Sequence, residues 1–346
     1  MITVPVNASK KYDILIGREL LPKAGSLIRE TAGGEKAIVI TDSNVDRYHS
    51  ETVTESLRRA GYEAVKYVIP AGEDSKNLGT LSEILSFMAA NHLSRNDVAV
   101  ALGGGVTGDI TGFAAAVYMR GIRYVQMPTT VLAAVDSSVG GKTAVDLPEG
   151  KNLAGAFHQP ELVICDTDTF ETLPERDYNN GFAEVIKYAM IADDEIFAML
   201  DGADIEEIIR RCVEIKAEIV EEDEFESGRR QILNFGHSIG HAYEKLSDYS
   251  LLHGEAISCG MVKICEIAED RGMCSEDCTK TLKAALKKYS LPLHADYSHE
   301  AVAEAIRMDK KAAGDSINLI MPLGRGEVAI VKTGLQELKS MLKIQE

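Results

Sequence analysis

VAVALGGGVTGD, residues 98–109, joins a run of small and β-branched apolar residues to a glycine-rich segment. The run predicts a buried strand, and the glycines that follow satisfy the pattern G-x-G-x-x-G. Glycines in such a turn let backbone N–H groups at a helix N-terminus approach a pyrophosphate without interference from Cβ atoms. The segment therefore predicts a strand-turn-helix unit whose turn either binds a dinucleotide or is only a tight structural turn.

Similar apolar runs recur on both sides of this unit and alternate with helical stretches; they occupy residues 37–40, 65–69, 124–127 and 162–165. Such alternation predicts a mainly parallel sheet with helices on its faces, which binds ligands beyond the carboxyl ends of its strands. An ordinary Rossmann fold has an acidic residue after the next strand, but here that strand runs into Pro128-Thr129-Thr130. We therefore expect a Rossmann-like sheet of atypical strand order, with Asp42 and Asn44 beside the ribose.

The character of the sequence changes after Pro174. From residue 181 to 288 the pattern is helical, and one face carries apolar residues at spacings of three and four, such as Ile208, Cys212 and Ile215. Two strand-like runs, 317–321 and 328–331, flank a turn near the end. We predict an α/β domain over residues 1–170 and a mainly α-helical domain over residues 171–346.

Composition excludes several classes of protein. The 346 residues include 37 Lys and Arg against 54 Asp and Glu, a formal net charge of −17, which argues against a nucleic-acid partner. No secretory leader pattern and no apolar run of membrane-spanning length is present in the sequence, so we expect no membrane partner. The six cysteines never form CxxC, so we expect neither a disulfide scaffold nor a cysteine zinc ribbon, and a reducing cytoplasmic compartment.

Residues 139–143, VGGKT, end like a phosphate-binding P-loop. The first glycine of that motif would stand at position 136, which is Asp136, so a P-loop is excluded. Lys142 is either a point charge for an anionic substrate or a solvated loop lysine.

NFGHSIGH, residues 234–241, places His237 and His241 on one face of a predicted helix, and His253 follows shortly after. Three imidazoles suit zinc or a similar ion, which usually takes one carboxylate as well. Glu184 is a candidate because it lies in the apolar stretch GFAEVIKY, where coordination would offset the cost of burying its charge. The alternatives are a structural histidine pair and a surface glutamate at a helix start.

Together these segments resemble the 3-dehydroquinate synthase family, enzymes that cyclise 3-deoxy-D-arabino-heptulosonate 7-phosphate in the shikimate pathway. The resemblance covers nearly the whole chain, is densest over residues 103–160, and resumes in LPERDYNNGFAEVIKYAMI, RRQILNFGHSIGHAYE and LLHGEA. Metal-dependent polyol dehydrogenases share the two-domain plan but are not expected to carry VDSSVGGKT followed by GKN. The resemblance implies a dehydroquinate synthase-like fold and a homodimer.

The resemblance also implies site residues. Zinc or cobalt would be held by Glu184, His237 and His253, so His241 would not be a ligand and would either support the ligands or face the substrate. The residues implied to bind NAD are Asp42, Asn44, Glu73, Lys76, Gly103, Gly104, Gly105, Val106, Gly108, Asp109, Thr129, Thr130, Asp136, Ser137, Lys142, Lys151, Thr172 and Leu173. The residues implied to contact the sugar-acid phosphate substrate are Arg120, Asp136, Lys142, Lys151, Asn152, Lys187, Lys216, Arg230, Asn234, His241 and either Lys310 or Lys311.

The implied reaction yields 3-dehydroquinate and phosphate through oxidation by NAD+, phosphate elimination, reduction, ring opening and intramolecular aldol closure. NAD+ is regenerated in each turnover. The alternatives are a cyclase of another sugar phosphate, an NAD-linked metal-dependent polyol dehydrogenase, and a nonenzymatic NAD-binding regulator. Phosphate release without net NADH accumulation would separate them.

Overall fold

The computed structural model describes residues 1–309 and 316–343. Lys310 and Lys311 lie outside the described residues. Residue contacts divide the chain into two compact units, the first comprising residues 1–174 and 205–225 and the second comprising the remainder. This division falls four residues after the predicted boundary, and it assigns to the first unit a helical segment, 205–225, that the prediction gave to the second domain.

The first unit contains nine strands: β1 (Ile2–Asn7), β2 (Lys11–Gly17), β3 (Lys36–Asp42), β4 (Glu63–Ile69), β5 (Val98–Gly103), β6 (Arg123–Pro128), β7 (Lys142–Leu147), β8 (Gly150–Phe157) and β9 (Leu162–Asp166). Seven of them form one sheet in the order β1-β2-β9-β6-β5-β3-β4. All neighbours in this sheet are parallel except β1 and β2. The predicted mainly parallel sheet is therefore confirmed. The hairpin of β1 and β2 and the separate hairpin of β7 and β8 were not predicted.

The strand order explains where a ligand can bind. β3 has β4 on one side and β5 on the other, so the chain reverses its direction of progress across the sheet between β3 and β5. At such a switch point the connections leave the two strands toward opposite faces, which opens a crevice at their carboxyl ends. This order differs from the ordinary Rossmann order, as predicted. It puts the end of β3 and the glycine-rich turn after β5 on the two sides of that crevice.

Five helices accompany this sheet: α1 (Ala24–Ala32), α2 (Ser50–Arg59), α3 (Leu78–Ala90), α4 (Gly105–Val117) and α7 (Ile205–Glu222). Successive residues of β3 pack on opposite faces of the sheet, because side chains alternate along a strand. Ala37 and Val39 belong to one buried cluster, whereas Ile38 and Ile40 belong to the other. The sheet is thus covered on both faces, as its continuous apolar runs predicted.

Helix α7 joins the first unit although its sequence lies between segments of the second. Its apolar face, which includes Ile208, Cys212 and Ile219, is buried. Its last turn is held to β1, because Glu221 Oε1 accepts a hydrogen bond of 2.8 Å from the backbone N–H of Asn7. The amphipathic pattern predicted this helix, but a local pattern does not indicate which sheet or helix will cover its apolar face.

The second unit is mainly helical. It contains α5 (Glu175–Ile191), α6 (Glu195–Met199), α8 (His237–Leu246), α9 (His253–Asp270), α10 (Glu276–Lys288), α11 (His299–Asp309), α12 (Leu335–Met341), β10 (Ser316–Gly324) and β11 (Glu327–Gly334). β10 and β11 form an antiparallel hairpin. The predicted helical domain with two late strands is confirmed. Across residues 1–309 and 316–343, no helix is both long and apolar enough to cross a membrane.

Candidate functional site

Glycines allow three helices of the second unit to approach one another closely. Gly236 precedes α8 with a φ of 77°, and a Cβ at that position would lie 2.5 Å from Met261 Cγ on α9. A Cβ at Gly260 on α9 would lie 2.1 Å from the carbonyl oxygen of Gly236. A Cβ at Gly254 would lie 2.0 Å from the carbonyl oxygen of Asn180 on α5. Any larger residue would separate these backbones, so the glycines bring the start of α8 against the middle of α9 and the start of α9 against α5.

This packing assembles a cluster of three potential ligands. Glu184 projects from α5 and is 1% exposed, His237 is the first residue of α8, and His253 is the first residue of α9. Nε2 of His253 lies 3.3 Å from Glu184 Oε1, and Nε2 of His237 lies 3.5 Å from the same oxygen. One donor atom from each residue lies within 4.8 Å of the other two. The structure thus brings together the three residues predicted as metal ligands.

The two imidazoles present Nε2 to the same point. Nδ1 of His237 donates to the carbonyl oxygen of Phe235 at 3.0 Å, which leaves Nε2 with a lone pair. Burial lowers the pKa of His237 to about 3, so this imidazole is neutral. Burial also lowers the pKa of His253, but the carboxylates of Glu184 and Glu244 outweigh it and raise that pKa to about 10. An ion that binds there displaces the proton from His253 Nε2, and one carboxylate oxygen and two imidazole nitrogens then fit zinc or a similar divalent ion, with further positions left open.

The second unit also carries cationic and polar side chains predicted to contact substrate, and two of them, Lys187 and His241, lie beside this cluster. Lys187, 1% exposed, forms an ion pair with Glu184 one turn earlier on α5. The side chain of His241 is 47% exposed, and its ring centroid lies 5.4 Å from that of His237. Arg230 and Asn234 lie on the short 3₁₀ helix Arg229–Asn234 that leads into α8. Arg230 is 1% exposed, so its guanidinium is a buried cation.

Glu244 is a residue of this site that the sequence analysis missed. It lies on α8 and is 3% exposed, and its Oε1 is 3.5 Å from Nδ1 of His253. It follows His237 by seven residues and His241 by three, so all three side chains occupy one face of the helix. That spacing was the available signal.

The carboxyl edge of the sheet in the first unit collects most residues predicted to bind NAD. Asp42 ends β3 and accepts from the backbone N–H of Asn44 at 2.9 Å, and Thr107 Oγ1 lies 3.5 Å from its other oxygen. The N–H of Thr129, after β6, donates to the carbonyl oxygen of Gly103 at 3.0 Å. Thr172, after β9, lies 2.9 Å from His49 Nε2 through its hydroxyl. The residues lie at one sheet edge because each follows a parallel strand.

A buried lysine lies behind the glycine-rich turn. Lys76 Nζ is 2.7 Å from Asp109 Oδ2 on α4 and donates to Asn152 Oδ1 at 2.6 Å. Glu73 and Lys151 form the outer part of the network, 3.8 Å apart. Burial lowers the pKa of Lys76, but the carboxylates of Asp109 and Glu73 together outweigh this and hold that pKa above its usual range. The network therefore contains an ammonium and links the turn after β4 to α4 and β8.

A second lysine of the first unit fixes Asp136. A single π-helical turn spans Ala133–Ser137, and Lys216 Nζ on α7 donates to the backbone carbonyl of Asp136 at 2.5 Å and lies 3.0 Å from its Oδ1. Such π turns are frequent at functional sites. Lys142 is exposed and is the first residue of β7, the next strand after this turn. This arrangement holds the predicted substrate residues Asp136 and Lys216 in contact with each other.

Arg120 is the predicted site residue that lies apart from the others in the first unit. It is exposed and follows the C-terminal end of α4, whereas the glycine-rich turn precedes the N-terminal end of that helix. Thirteen helical residues separate the two ends by about 20 Å. The structure does not bring Arg120 to the carboxyl edge of its own sheet.

Comparisons with known proteins agree with this geometry. A family model described as 3-dehydroquinate synthase N-terminal matches residues 66–180, and one described as 3-dehydroquinate synthase C-terminal matches residues 181–312. The chain is 43% identical over 343 residues to a 3-dehydroquinate synthase of Clostridium acetobutylicum, with 96% of each chain covered.

Solved structures of two sugar phosphate cyclases are also similar. A 2-deoxy-scyllo-inosose synthase complexed with carbaglucose-6-phosphate, NAD+ and Co2+ is 27% identical, with a TM-score of 0.89 and 99% of each chain covered. The 2-epi-5-epi-valiolone synthase ValA of Streptomyces hygroscopicus, with NAD+ and Zn2+ bound, is 26% identical, with a TM-score of 0.88 and 98% of each chain covered. The chain therefore belongs to the 3-dehydroquinate synthase family, and its activity is that of a 3-dehydroquinate synthase, a phosphate-eliminating lyase of the shikimate pathway.

Proposed function

We propose that the chain converts 3-deoxy-D-arabino-heptulosonate 7-phosphate to 3-dehydroquinate and phosphate with bound NAD and a divalent ion, zinc or cobalt. The observation that carries the proposal is the convergence of Glu184, His237 and His253, with donor atoms within 4.8 Å, in a chain 43% identical to such a synthase. When bound, NAD+ supplies a hydride acceptor that later returns the hydride, and the ion supplies a Lewis acid for the substrate hydroxyls.

The first unit is proposed to bind the nucleotide. Backbone N–H groups at the start of α4 are available to a pyrophosphate, because Gly104 and Gly105 have no Cβ. Asp42 offers carboxylate oxygens for a ribose at the opposite side of the switch point. The buried ion pair of Lys76 and Asp109 supports the first turns of α4 from behind. These residues therefore fix the phosphates and the ribose without forming a covalent bond to the cofactor.

The second unit is proposed to hold the anionic groups of the substrate. A carboxylate and a phosphate require cations, and a chain of net charge −17 provides them locally in Lys187 and Arg230. His241 is more exposed than His237 and His253, which suits it to pass a proton from a substrate hydroxyl to water. The first unit contributes Asp136, Lys142, Lys151, Asn152 and Lys216 as the other proposed contacts.

Replacing Arg230 by lysine tests the anion-binding role. A guanidinium can donate two parallel hydrogen bonds to a carboxylate or phosphate, and a lysine cannot reproduce this pair. We expect Arg230→Lys to lower kcat/KM for the heptulosonate phosphate by about 10²-fold, or about 3 kcal/mol, while metal content and NAD+ affinity stay unchanged. Steady-state kinetics, elemental analysis and calorimetry would measure the three quantities. Unchanged kcat/KM in a folded variant would exclude Arg230 from substrate binding.

Replacing Gly105 by valine tests the nucleotide site. A Cβ at Gly105 would lie 3.2 Å from Ser137 Oγ, so the fold can accept it with a small shift, whereas a Cβ at Gly108 would lie 2.5 Å from Gln126 Oε1. The added side chain would block the approach of a pyrophosphate to the backbone, and we expect NAD+ affinity to fall at least about tenfold. Gly334→Val, at a position with open space around its Cβ, is the matched control. Wild-type NAD+ affinity in folded Gly105→Val would remove the glycine-rich turn from the site.

A second sugar phosphate is a candidate substrate. The similarity to 2-deoxy-scyllo-inosose synthase complexed with carbaglucose-6-phosphate favours glucose 6-phosphate as a second candidate. We expect kcat/KM for the heptulosonate phosphate to exceed that for glucose 6-phosphate and for glycerol, because only the first carries both a carboxylate and a phosphate. Phosphate release assayed with the first two compounds, and NADH formation with glycerol, would identify the preferred substrate.

The homodimer is a further proposal, which light scattering would test.

A further inference from the structure

His253 lies between two buried carboxylates that face different ring nitrogens. Nε2 is 3.3 Å from Glu184 Oε1, and Nδ1 is 3.5 Å from Glu244 Oε1. Glu244 is 3% exposed, although it lies on a helix whose neighbouring residues Lys245 and His241 are exposed. Burying a carboxylate is costly unless it has a polar partner, so its position beside Nδ1 requires an explanation.

In the proposed metal site, the Nδ1–H groups of the two histidines have different hydrogen-bond acceptors. An imidazole that binds an ion through Nε2 carries a proton on Nδ1, and a buried Nδ1–H needs an acceptor. His237 donates to the carbonyl oxygen of Phe235 at 3.0 Å. For His253 the acceptor within reach is the Glu244 carboxylate. A carboxylate acceptor both fixes the ring orientation and increases the electron density that the other nitrogen gives to the ion.

We infer that Glu244 is a positioning residue: it holds the His253 ring with Nε2 directed toward Glu184 and thereby strengthens binding of the divalent ion. The inference rests on the proposed metal site and adds to it a residue that acts through His253 and does not touch the ion. A different arrangement would use Glu244 as a ligand, because donor atoms of His241, Glu244 and His253 also lie within 4.8 Å of one another. The two arrangements differ in stoichiometry, since the second adds an ion.

Two substitutions of Glu244 test the inference. Glu244→Ala removes the acceptor, and we expect zinc affinity, measured by competition with a chromogenic chelator, to fall about 10- to 100-fold. Glu244→Gln keeps the size of the side chain and one acceptor oxygen but not the charge, so we expect a smaller loss in a variant that retains the fold. The Co2+ absorption spectrum of both variants should change, because a loosened His253 alters the ligand field. Glu276→Ala, which removes an exposed carboxylate from the same unit, should bind zinc as the wild type does.

These measurements distinguish failure of the inference about Glu244 from failure of the proposed metal site. Wild-type zinc affinity and an unaltered Co2+ spectrum in both Glu244 variants would overturn the inference and leave the proposed metal site intact. Two tightly bound ions per wild-type chain, with one lost in Glu244→Ala, would also overturn it by making Glu244 a ligand. Retention of zinc by His253→Ala would contradict the proposed metal site itself, and the inference with it.

Discussion

Replacing His253 by alanine should remove the tightly bound divalent ion and lower kcat/KM for the heptulosonate phosphate by at least about 10³-fold, or about 4 kcal/mol. The reason is that, among residues 1–309 and 316–343, the proposed donor set contains three side chains, and His253 supplies one of its two nitrogens. With two ligands left, the ion would be held too weakly to survive gel filtration.

Elemental analysis after gel filtration, combined with the phosphate-release assay, measures both effects. His294→Ala is a suitable control, because His294 is an exposed histidine of the same unit outside the cluster. It should retain one ion per chain and full activity. A His253→Ala variant that retained one ion per chain and full activity would show that the ligand assignment is wrong.

The second large effect concerns stability. Lys76→Met would leave the Asp109 carboxylate buried without its ammonium partner, and we expect the first unit to lose about 3–5 kcal/mol of unfolding free energy. The double variant Lys76→Met/Asp109→Asn should recover part of the loss, because it leaves no uncompensated buried charge.

Urea unfolding followed by a probe in the first unit would measure these differences. Lys23→Met, which removes an exposed lysine of the same unit, is the matched control and should unfold near the wild-type midpoint. If Lys76→Met unfolded at that same midpoint, the ion pair would not be a stabilising element. Its proposed support of the nucleotide-binding turn would then lose its basis.

The strands of the sheet were predictable because a run of apolar residues in the sequence is enough to indicate a buried strand. Each of the five apolar runs became a strand, and the missing acidic residue after the fourth correctly indicated an atypical strand order. The hairpin of β1 and β2 was missed although residues 2–17 alternate polar and apolar side chains. The placement of α7 in the first unit depends on long-range packing, which an amphipathic pattern does not specify.

The site was predictable in its residue types but not in its geometry. Residue types and spacing proposed His237, His241 and His253 with Glu184 as candidate ligands, and only the resemblance removed His241 from that set. The structure supplies the physical reason, because glycines at positions 236, 254 and 260 let α8, α9 and α5 approach until these three side chains meet. Glu244 was missed because its role depends on the opposite nitrogen of the His253 ring.

The central claim is that the enzyme uses NAD+ catalytically, with oxidation and reduction both completed within one turnover. The most direct test supplies the heptulosonate phosphate in large excess over NAD+ and follows phosphate and NADH together. The account predicts that many molecules of phosphate are released per molecule of NAD+, with no net accumulation of NADH. Accumulation of one NADH per substrate consumed, with turnover ending when NAD+ is exhausted, would contradict it and indicate a dehydrogenase.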